Sequence, residues 1–265
     1  MATRHLKRAP LWISTLMICF LGRCGEEPTT GINSLHFAGD GYLEVANSAS
    51  LIGMFTGDFS IEIWTAGDTS VPEVARSLIM FGNSNGGNEL AIYQGASDSS
   101  LVTVYIDDQP FGFYQIPGLD WRRGNWHYLC LTQVNNFVAF YFDGQVIDTR
   151  MLGNLAIDIG ASNFLIGADY DPPGVNANVG NYWKGYIDEV RLWRRNIQSA
   201  EVAYHALHPD KLLQHYSVED LNSLIGLWRF NTEYSAVVED ESGNGNRAWF
   251  KGLLTGFSWS GSGTP

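Results

Sequence analysis

Residues 125–150 read NWHYLCLTQVNNFVAFYFDGQVIDTR and predict three antiparallel strands joined by two tight turns. Asn135-Asn136 and Asp143-Gly144 are the turns, because Asn, Asp and Gly adopt positive φ more readily than other residues and two-residue hairpin loops require it. Both alternating faces of the first two strands carry large apolar side chains, so neither face can simply be solvated. This segment therefore predicts central strands of a two-layer β-sandwich.

The rest of the chain continues the same pattern of short apolar runs separated by Gly- and Asn-rich segments. Regular spacing of this kind predicts an all-β sandwich. Helical turns are expected only near 199–223, where Ser199 can cap a helix through Leu207 and Ser217 with Asp220 forms a near capping box. Further strands are predicted at 34–45, 59–64, 77–81, 89–93, 101–106 and 163–168.

Composition and charge limit the classes of partner. The chain has 265 residues, and 45% of them are hydrophobic, which is enough for a full core in one sandwich domain. Its 16 basic and 28 acidic residues give a formal net charge of −12. An acidic surface repels phosphate backbones, so no nucleic-acid partner is expected, whereas glycans and cations are compatible ligands.

Residues 1–24 have the pattern of a secretory signal peptide. Basic residues precede the apolar run 11–21, which is too short to span a bilayer. We expect cleavage after Cys24, secretion to the extracellular space and no integral membrane span. Lipid anchoring at Cys24 is the alternative, because the preceding residues resemble a lipoprotein box, although Arg23 stands where that box needs a small residue.

Two segments resemble laminin-G-like jellyroll domains of the concanavalin A-like lectin and glucanase superfamily, which also contains pentraxins. They are 124–146, with its Trp-His pair and its Tyr-x-Asp-Gly turn, and Tyr186-Ile-Asp-Glu-Val-Arg-Leu-Trp193. The resemblance implies a jellyroll of two antiparallel sheets. We expect a linker at 25–32, this domain at 33–254 and a flexible tail at 255–265.

The end of the domain resembles the strand and turn that usually open the family's fold. Residues 224–252 carry this likeness, so the family order is expected to be circularly permuted. A sandwich tolerates permutation because its chain ends are usually close together at the surface. The alternative is a tandem array whose second copy is truncated.

Residues 240–246, DESGNGN, space oxygen-bearing side chains alternately around a glycine, as in the first half of a calcium loop. Lys251 stands where an EF-hand has its bidentate carboxylate, so a Ca²⁺ ion would need an acid from elsewhere. The resemblance brings Asp188 near this turn. The alternative is an Asx-rich turn whose side chains make structural hydrogen bonds. The predicted metal ligands are Asp188, Asp240, Ser242, Asn244 and Asn246.

A sugar site needs aromatic faces against C–H-rich ring surfaces and carboxylates or amides for hydroxyl groups. The long polar loop 169–181 and its flanking aromatic residues, Tyr182 among them, offer these groups, and a second loop offers a tryptophan. Loops of this length are often functional. The predicted ligand-binding residues are Trp121, Asp169, Tyr170, Asp171, Asn181 and Trp183.

Catalysis is not expected. Glucanases of this superfamily carry acidic residues that alternate along one strand, and this sequence has no such run. Asp188 and Glu189 are adjacent, which sends them to opposite faces of a strand. The sequence therefore predicts a secreted, calcium-stabilised glycan-binding module. An extracellular protein-interaction or structural module is the alternative, and a divergent glycan-active enzyme is a third.

Overall fold

The computed structural model describes most of the predicted domain. The predicted signal peptide, which ends at Cys24, and the whole linker 25–32 lie outside the described residues, and so does the chain after residue 260. The described residues are 33–46, 49–70, 74–82, 90–95, 100–106, 109–152, 163–171, 178–212, 216–231 and 236–260.

Within these residues the chain forms strands joined by short helices and turns. The strands are β1 (Ser34–Ala38), β2 (Gly41–Val45), β3 (Phe59–Gly67), β4 (Arg76–Gly82), β5 (Leu90–Gln94), β6 (Leu101–Ile106), β7 (Gln109–Gln115), β8 (Trp126–Val134), β9 (Phe137–Phe142), β10 (Gln145–Met151), β11 (Asn163–Ile166), β12 (Asp169–Asp171), β13 (Asn178–Gly180), β14 (Lys184–Trp193), β15 (Leu224–Trp228), β16 (Val237–Val238), β17 (Ala248–Gly252) and β18 (Phe257–Ser260). The α-helices are α1 (Ala49–Ile52), α2 (Ser199–Leu207) and α3 (Val218–Asn222), and 3₁₀ turns span Met54–Thr56, Trp121–Arg123 and Leu254–Gly256.

Two large antiparallel sheets form a sandwich, which confirms the predicted all-β jellyroll. Sheet 1 has the order β10-β9-β8-β3-β14-β1-β18, and β15 also pairs with β14. Sheet 2 has the order β16-β17-β2-β11-β4-β5-β6-β7, while β12 and β13 form a separate hairpin. Alternate side chains of both sheets face inward and make one hydrophobic core.

The meander at 125–150 folds as predicted. Asn135 and Asn136 have φ of 48° and 66°, and Asp143 and Gly144 have φ of 47° and 77°, so both turns use the positive φ that their residue types favour. They join β8, β9 and β10 into consecutive antiparallel neighbours. Next to β8 lies β3, which is buried along its whole length.

The C-terminal segment belongs to the same sandwich. β15 pairs with β14 in sheet 1, and β17 pairs with β2 in sheet 2. The expectation of a flexible tail from residue 255 is wrong for β18, which pairs with β1. These residues form a strand because apolar and polar side chains alternate along it. Phe257 faces the core, where the centroid of its ring lies 5.3 Å from that of Phe37. Circular permutation of the family order stays a prediction.

Helices α2 and α3 lie within the predicted region 199–223. The N-cap of α2 is Gln198 and not Ser199, because Gln198 and Glu201 form the capping box. Ser217 and Asp220 form the predicted capping box at the start of α3. The apolar face of α2 packs on the outer face of sheet 1, over a cluster that includes Trp193.

A buried carboxylate lies at the centre of this contact. Glu62 of β3 is fully buried and accepts hydrogen bonds from the hydroxyl of Tyr128 at 2.8 Å, the indole N–H of Trp193 at 2.5 Å and Nδ1 of His205 at 2.8 Å. A guanidinium nitrogen of Arg191 lies 3.6 Å away. Burial alone would raise the pKa of Glu62, but His205, Arg191 and Tyr128 outweigh burial and lower it to about 2.

Replacing this carboxylate should destabilise the protein strongly. In Glu62→Gln, the buried His205 loses its anionic partner, and Arg191 loses the more distant of its two carboxylates but keeps Glu189, 2.6 Å away. We expect the free energy of unfolding to fall by about 3 kcal/mol. The matched control is Glu239→Gln, at an exposed glutamate paired with Arg247, which should cost less than about 1 kcal/mol. Urea denaturation measures both, and equal losses would contradict a central role for Glu62.

The same interaction predicts a pH dependence. Because the pKa of Glu62 in the folded chain, about 2, lies below its ordinary value of 4.5, its contribution to stability is fully present above about pH 4.5 and is lost as the pH falls toward 2. The stability difference between the wild type and Glu62→Gln should therefore narrow over that window. Urea titrations at several pH values measure it, and a constant difference would argue against an ionised Glu62.

Candidate functional site

The two predicted tryptophans lie in the core. Trp121 is 1% exposed and Trp183 is fully buried. Their rings meet edge to face, with centroids 5.6 Å apart, between the two sheets. Contrary to the prediction, neither indole face is accessible to a ligand, because both rings fill space inside the sandwich.

The other four predicted residues lie on or beside the β12–β13 hairpin. Asp169 is 4% exposed, and its Oδ2 accepts hydrogen bonds from the hydroxyl of Tyr93 at 2.8 Å and from Nδ2 of Asn181 at 3.3 Å. It therefore fastens the hairpin to the outer face of sheet 2. Tyr170 is half-buried beside it, whereas the side chain of Asp171 lies outside the described residues.

Tyr170 adjoins a row of polar and aromatic side chains on β2 and β11. The Nδ2 of Asn163 donates to Oε1 of Glu44 at 2.7 Å and to the hydroxyl of Tyr170 at 3.5 Å. The rings of Tyr42 and Tyr182 have centroids 6.2 Å apart. All members are half-buried. We call this group the tyrosine patch, and it consists of Tyr42, Glu44, Asn163, Tyr170 and Tyr182.

Burial and nearby charge keep the phenol of Tyr42 protonated at neutral pH. Burial, then the charge of Glu44 and the proximity of Tyr170 and Tyr182, raises the pKa of Tyr42 to about 12. Glu44 is balanced by Lys251, whose Nζ lies 3.3 Å from Oε2. The patch therefore offers hydroxyl and amide donors and one carboxylate acceptor beside flat rings.

An exposed tryptophan extends the tyrosine patch. Trp249 of β17 is directly opposite Glu44 of β2, so the two side chains share the outer face of sheet 2. Its side chain is 48% exposed. It also borders a cavity of about 400 Å³, within the size range of small-molecule sites. Other described residues that line this cavity are Ala236, Phe250, Leu254, Phe257 and Trp259.

Sequence reasoning missed Tyr42, Glu44, Asn163 and Trp249. In β2 a signal was present, because Tyr42 and Glu44 alternate with the buried Leu43 and Val45. For Trp249 no local signal existed, since its place beside Glu44 depends on pairing between the two ends of the domain.

The predicted calcium turn is held by hydrogen bonds to the backbone. Oδ1 of Asp240 accepts the N–H groups of Leu227 at 3.0 Å and Ser242 at 2.9 Å, and its Oδ2 accepts that of Asn246 at 2.9 Å. Nδ2 of Asn244 donates to the carbonyl of Leu224 at 3.0 Å, so the turn ties β17 to β15.

Asp188 bonds to its own strand. It is 1% exposed, and its Oδ1 accepts the backbone N–H of Glu189 at 2.7 Å. Burial and the adjacent charge of Glu189 raise its pKa well above the usual range, although Arg191 and Arg229 act in the opposite direction. No group of three or more His, Cys, Asp or Glu side chains that could hold a metal occurs in the described part of the chain. The hydrogen bonds of Asp240 and Asn244 fit a structural Asx-rich turn, and calcium binding stays a prediction.

This geometry predicts the effect of removing the carboxylate of Asp240. Asp240→Ala leaves three backbone N–H groups without their acceptor, so we expect a loss of about 2 kcal/mol in the free energy of unfolding, equal in calcium and in chelator. Asp58→Ala is the control, because Asp58 is exposed and accepts one backbone N–H, from Asn135. If millimolar calcium stabilises the wild type and not Asp240→Ala, the turn is a calcium loop after all.

Comparison with solved structures supports the fold. A putative carbohydrate-binding protein from Bacteroides ovatus has a TM-score of 0.61 at 14% identity, and the match covers 89% of this chain. It covers 61% of that protein, so the chain spans about three fifths of its length. The carbohydrate-binding module, of the class CBM40, of a Ruminococcus gnavus sialidase, solved with α2,3-sialyllactose, has a TM-score of 0.53 at 12% identity, over 67% of this chain and all of the module.

A sequence comparison identifies the family. No curated protein matches the sequence. Residues 37–203, more than half of the chain, match a laminin G family model that is described as the concanavalin A-like lectin/glucanases superfamily. This protein therefore belongs to the laminin G family of the concanavalin A-like lectin/glucanases superfamily.

Proposed function

We propose that this protein is a secreted, non-catalytic module that binds glycans through the tyrosine patch and Trp249. The observation that carries the proposal is the arrangement of the patch, in which half-exposed rings adjoin a carboxylate and an amide. Rings can stack on the C–H faces of a sugar, while Glu44, Asn163 and the tyrosine hydroxyls can bind its hydroxyl groups.

Hydrogen bonds inside the tyrosine patch favour binding because they hold the polar groups before a ligand arrives. Asn163 is oriented by Glu44, and the hydroxyl of Tyr182 donates to the carbonyl of Val179 at 2.9 Å. Preorganised side chains lose less conformational entropy on binding. The patch uses no metal in this account, so a calcium requirement is a separate hypothesis.

The structural neighbours add support. The Bacteroides ovatus neighbour is a putative carbohydrate-binding protein, and the Ruminococcus gnavus neighbour is a carbohydrate-binding module with a bound sialyllactose. Their identities of 14% and 12% limit the likeness to the fold. Secretion rests on the signal-peptide pattern of residues 1–24. Among the described residues, no helix has the length and apolarity needed to cross a membrane.

A protein-binding role is the second candidate, and strand β10 favours it. This strand lies at an edge of sheet 1 and exposes Val146, Ile147 and Met151 at 56%, 41% and 65%. Exposed edges that carry apolar side chains can pair with strands of a partner. A protein partner would then replace the glycan, and the tyrosine patch would serve only stability.

A glycan array with the secreted protein tests the proposal. We expect selective binding by the wild type and binding about five- to thirtyfold weaker by Trp249→Ala, because an aromatic anchor at a binding site contributes about 1–2 kcal/mol. Phe113→Ala is the matched control, because Phe113 lies on β7, outside the patch, and is 59% exposed. This variant should bind as the wild type does.

Repeating the array in chelator separates the calcium hypothesis from the glycan hypothesis. Equal binding in calcium and chelator is expected from the tyrosine patch. Loss in chelator alone would keep the glycan function and add a metal requirement. Absence of binding in both conditions, with the native circular dichroism spectrum retained, would overturn the proposed function in favour of a protein partner.

A further inference from the structure

A second row of side chains crosses the outer face of sheet 1, on the opposite side of the sandwich from the tyrosine patch. Strand register aligns Trp126 with Ala66, Ala66 with Tyr186, Tyr186 with His36, and His36 with Ser258. Directly paired residues of antiparallel strands share a face, so these side chains form one line across five strands. We call it the His36 row.

The His36 row lies at the end of sheet 1 that α2 leaves uncovered. Helix α2 packs near Trp193, at the C-terminal end of β14, whereas Tyr186 lies near the start of that strand. His36, Trp126 and Tyr186 are all half-buried. In the described part of the chain, these three rings keep part of their surface accessible, whereas Trp64, Tyr128 and Trp193 under α2 are buried.

The rings of the His36 row form a stepped platform, because the planes of neighbouring rings are tilted by 51°. The imidazole of His36 and the ring of Tyr186 have centroids 4.7 Å apart, and the rings of Trp126 and Tyr186 have centroids 6.1 Å apart. Ala66 lies between Trp126 and Tyr186 in the strand register and is buried, so its small side chain leaves a depression between the two rings. A sugar ring could rest on such a surface through its C–H groups.

Polar groups stand at one end of the platform. Nε2 of His36 lies 3.2 Å from Oδ2 of Asp68. Oδ1 of Asp68 accepts the backbone N–H and the hydroxyl of Ser70, each at 2.9 Å. Hydrogen bonds from Ser70 and from His36 lower the pKa of Asp68 to about 2, although burial opposes this. The carboxylate is therefore ionised and oriented at neutral pH, with its side chain 24% exposed.

We propose that the His36 row is a second carbohydrate subsite, which takes a neutral pyranose ring on Trp126, Tyr186 and His36 with its hydroxyls toward Asp68. The fixed carboxylate and the chain's net charge of −12 disfavour an acidic sugar. Since this inference rests on the proposed glycan-binding function, the two subsites on opposite faces would let one molecule hold two glycan chains and gain avidity.

Isothermal titration of the purified protein tests the second subsite. The probes are cellotetraose, mannotetraose, xylotetraose and chitotetraose. We expect a stoichiometry of two for the wild type with at least one probe, and of one for Trp126→Ala and for Trp249→Ala. The double variant should not bind, and Phe113→Ala should still bind two. Asp68→Asn keeps the rings intact and should weaken the affinity of the second site about tenfold. It therefore tests the second site even if Trp126→Ala does not fold.

The outcomes separate this inference from the proposed function. If the wild type binds one glycan and Trp249→Ala binds none, the His36 row is not a subsite and the tyrosine patch is the glycan site. If the wild type binds one glycan and Trp126→Ala or Asp68→Asn binds none, the His36 row is the glycan site and the tyrosine patch is not. Absence of binding to all four probes would overturn both.

Discussion

The buried carboxylate of Glu62 determines which surfaces of the sandwich remain available. It lies on the outer face of β3 and bonds to His205 of α2, while the hydroxyl of Tyr216 contacts the other ring nitrogen of His205 at 2.9 Å. An ionised carboxylate this deep is stable only while its partners surround it. Helix α2 must therefore stay on sheet 1, where it buries one half of the outer face and leaves the other half exposed.

The outer face of sheet 2 is also divided into a covered part and an accessible part. The β12–β13 hairpin covers the middle of its outer face and is anchored by the buried Asp169, which bonds to Tyr93 and Asn181. Beside the hairpin, Tyr42, Glu44 and their neighbours remain half-exposed. Both candidate ligand surfaces are thus the parts of the two outer faces that α2 and the hairpin leave open, and each combines aromatic rings with an oriented carboxylate.

Local sequence signals predicted what depends on local structure. The Asn135-Asn136 and Asp143-Gly144 turns, the meander and the Ser217 capping box followed from residue types a few positions apart. Asp169, Tyr170, Asp171 and Asn181 were predicted on one loop, and the structure has them on or beside one hairpin, but their role in ligand binding stays a prediction. Burial of Trp121 and Trp183 was not predictable in this way, since an aromatic residue beside a loop has the same sequence context whether it faces solvent or the core.

Features that depend on distant pairing had a weak local signal or none. The bond between Glu62 and His205 joins residues 143 positions apart. Strand β18 looked like a tail because its four residues acquire an inward face only beside β1. Trp249 likewise becomes part of a surface through its pairing with β2. The fold class was therefore predictable from the sequence, whereas Tyr42, Glu44, Asn163 and Trp249, four of the six residues of the tyrosine patch and its Trp249 extension, were not.

The most direct test of a glycan site on an outer face is the NMR spectrum of the tryptophan indole N–H groups during titration with a glycan that the array selects. The account predicts that the resonance of the exposed Trp249 shifts with saturation, while those of the buried Trp121 and Trp183 stay in place. Shifts of Trp121 and Trp183 with an unchanged Trp249 would contradict it and would indicate a site within the sandwich.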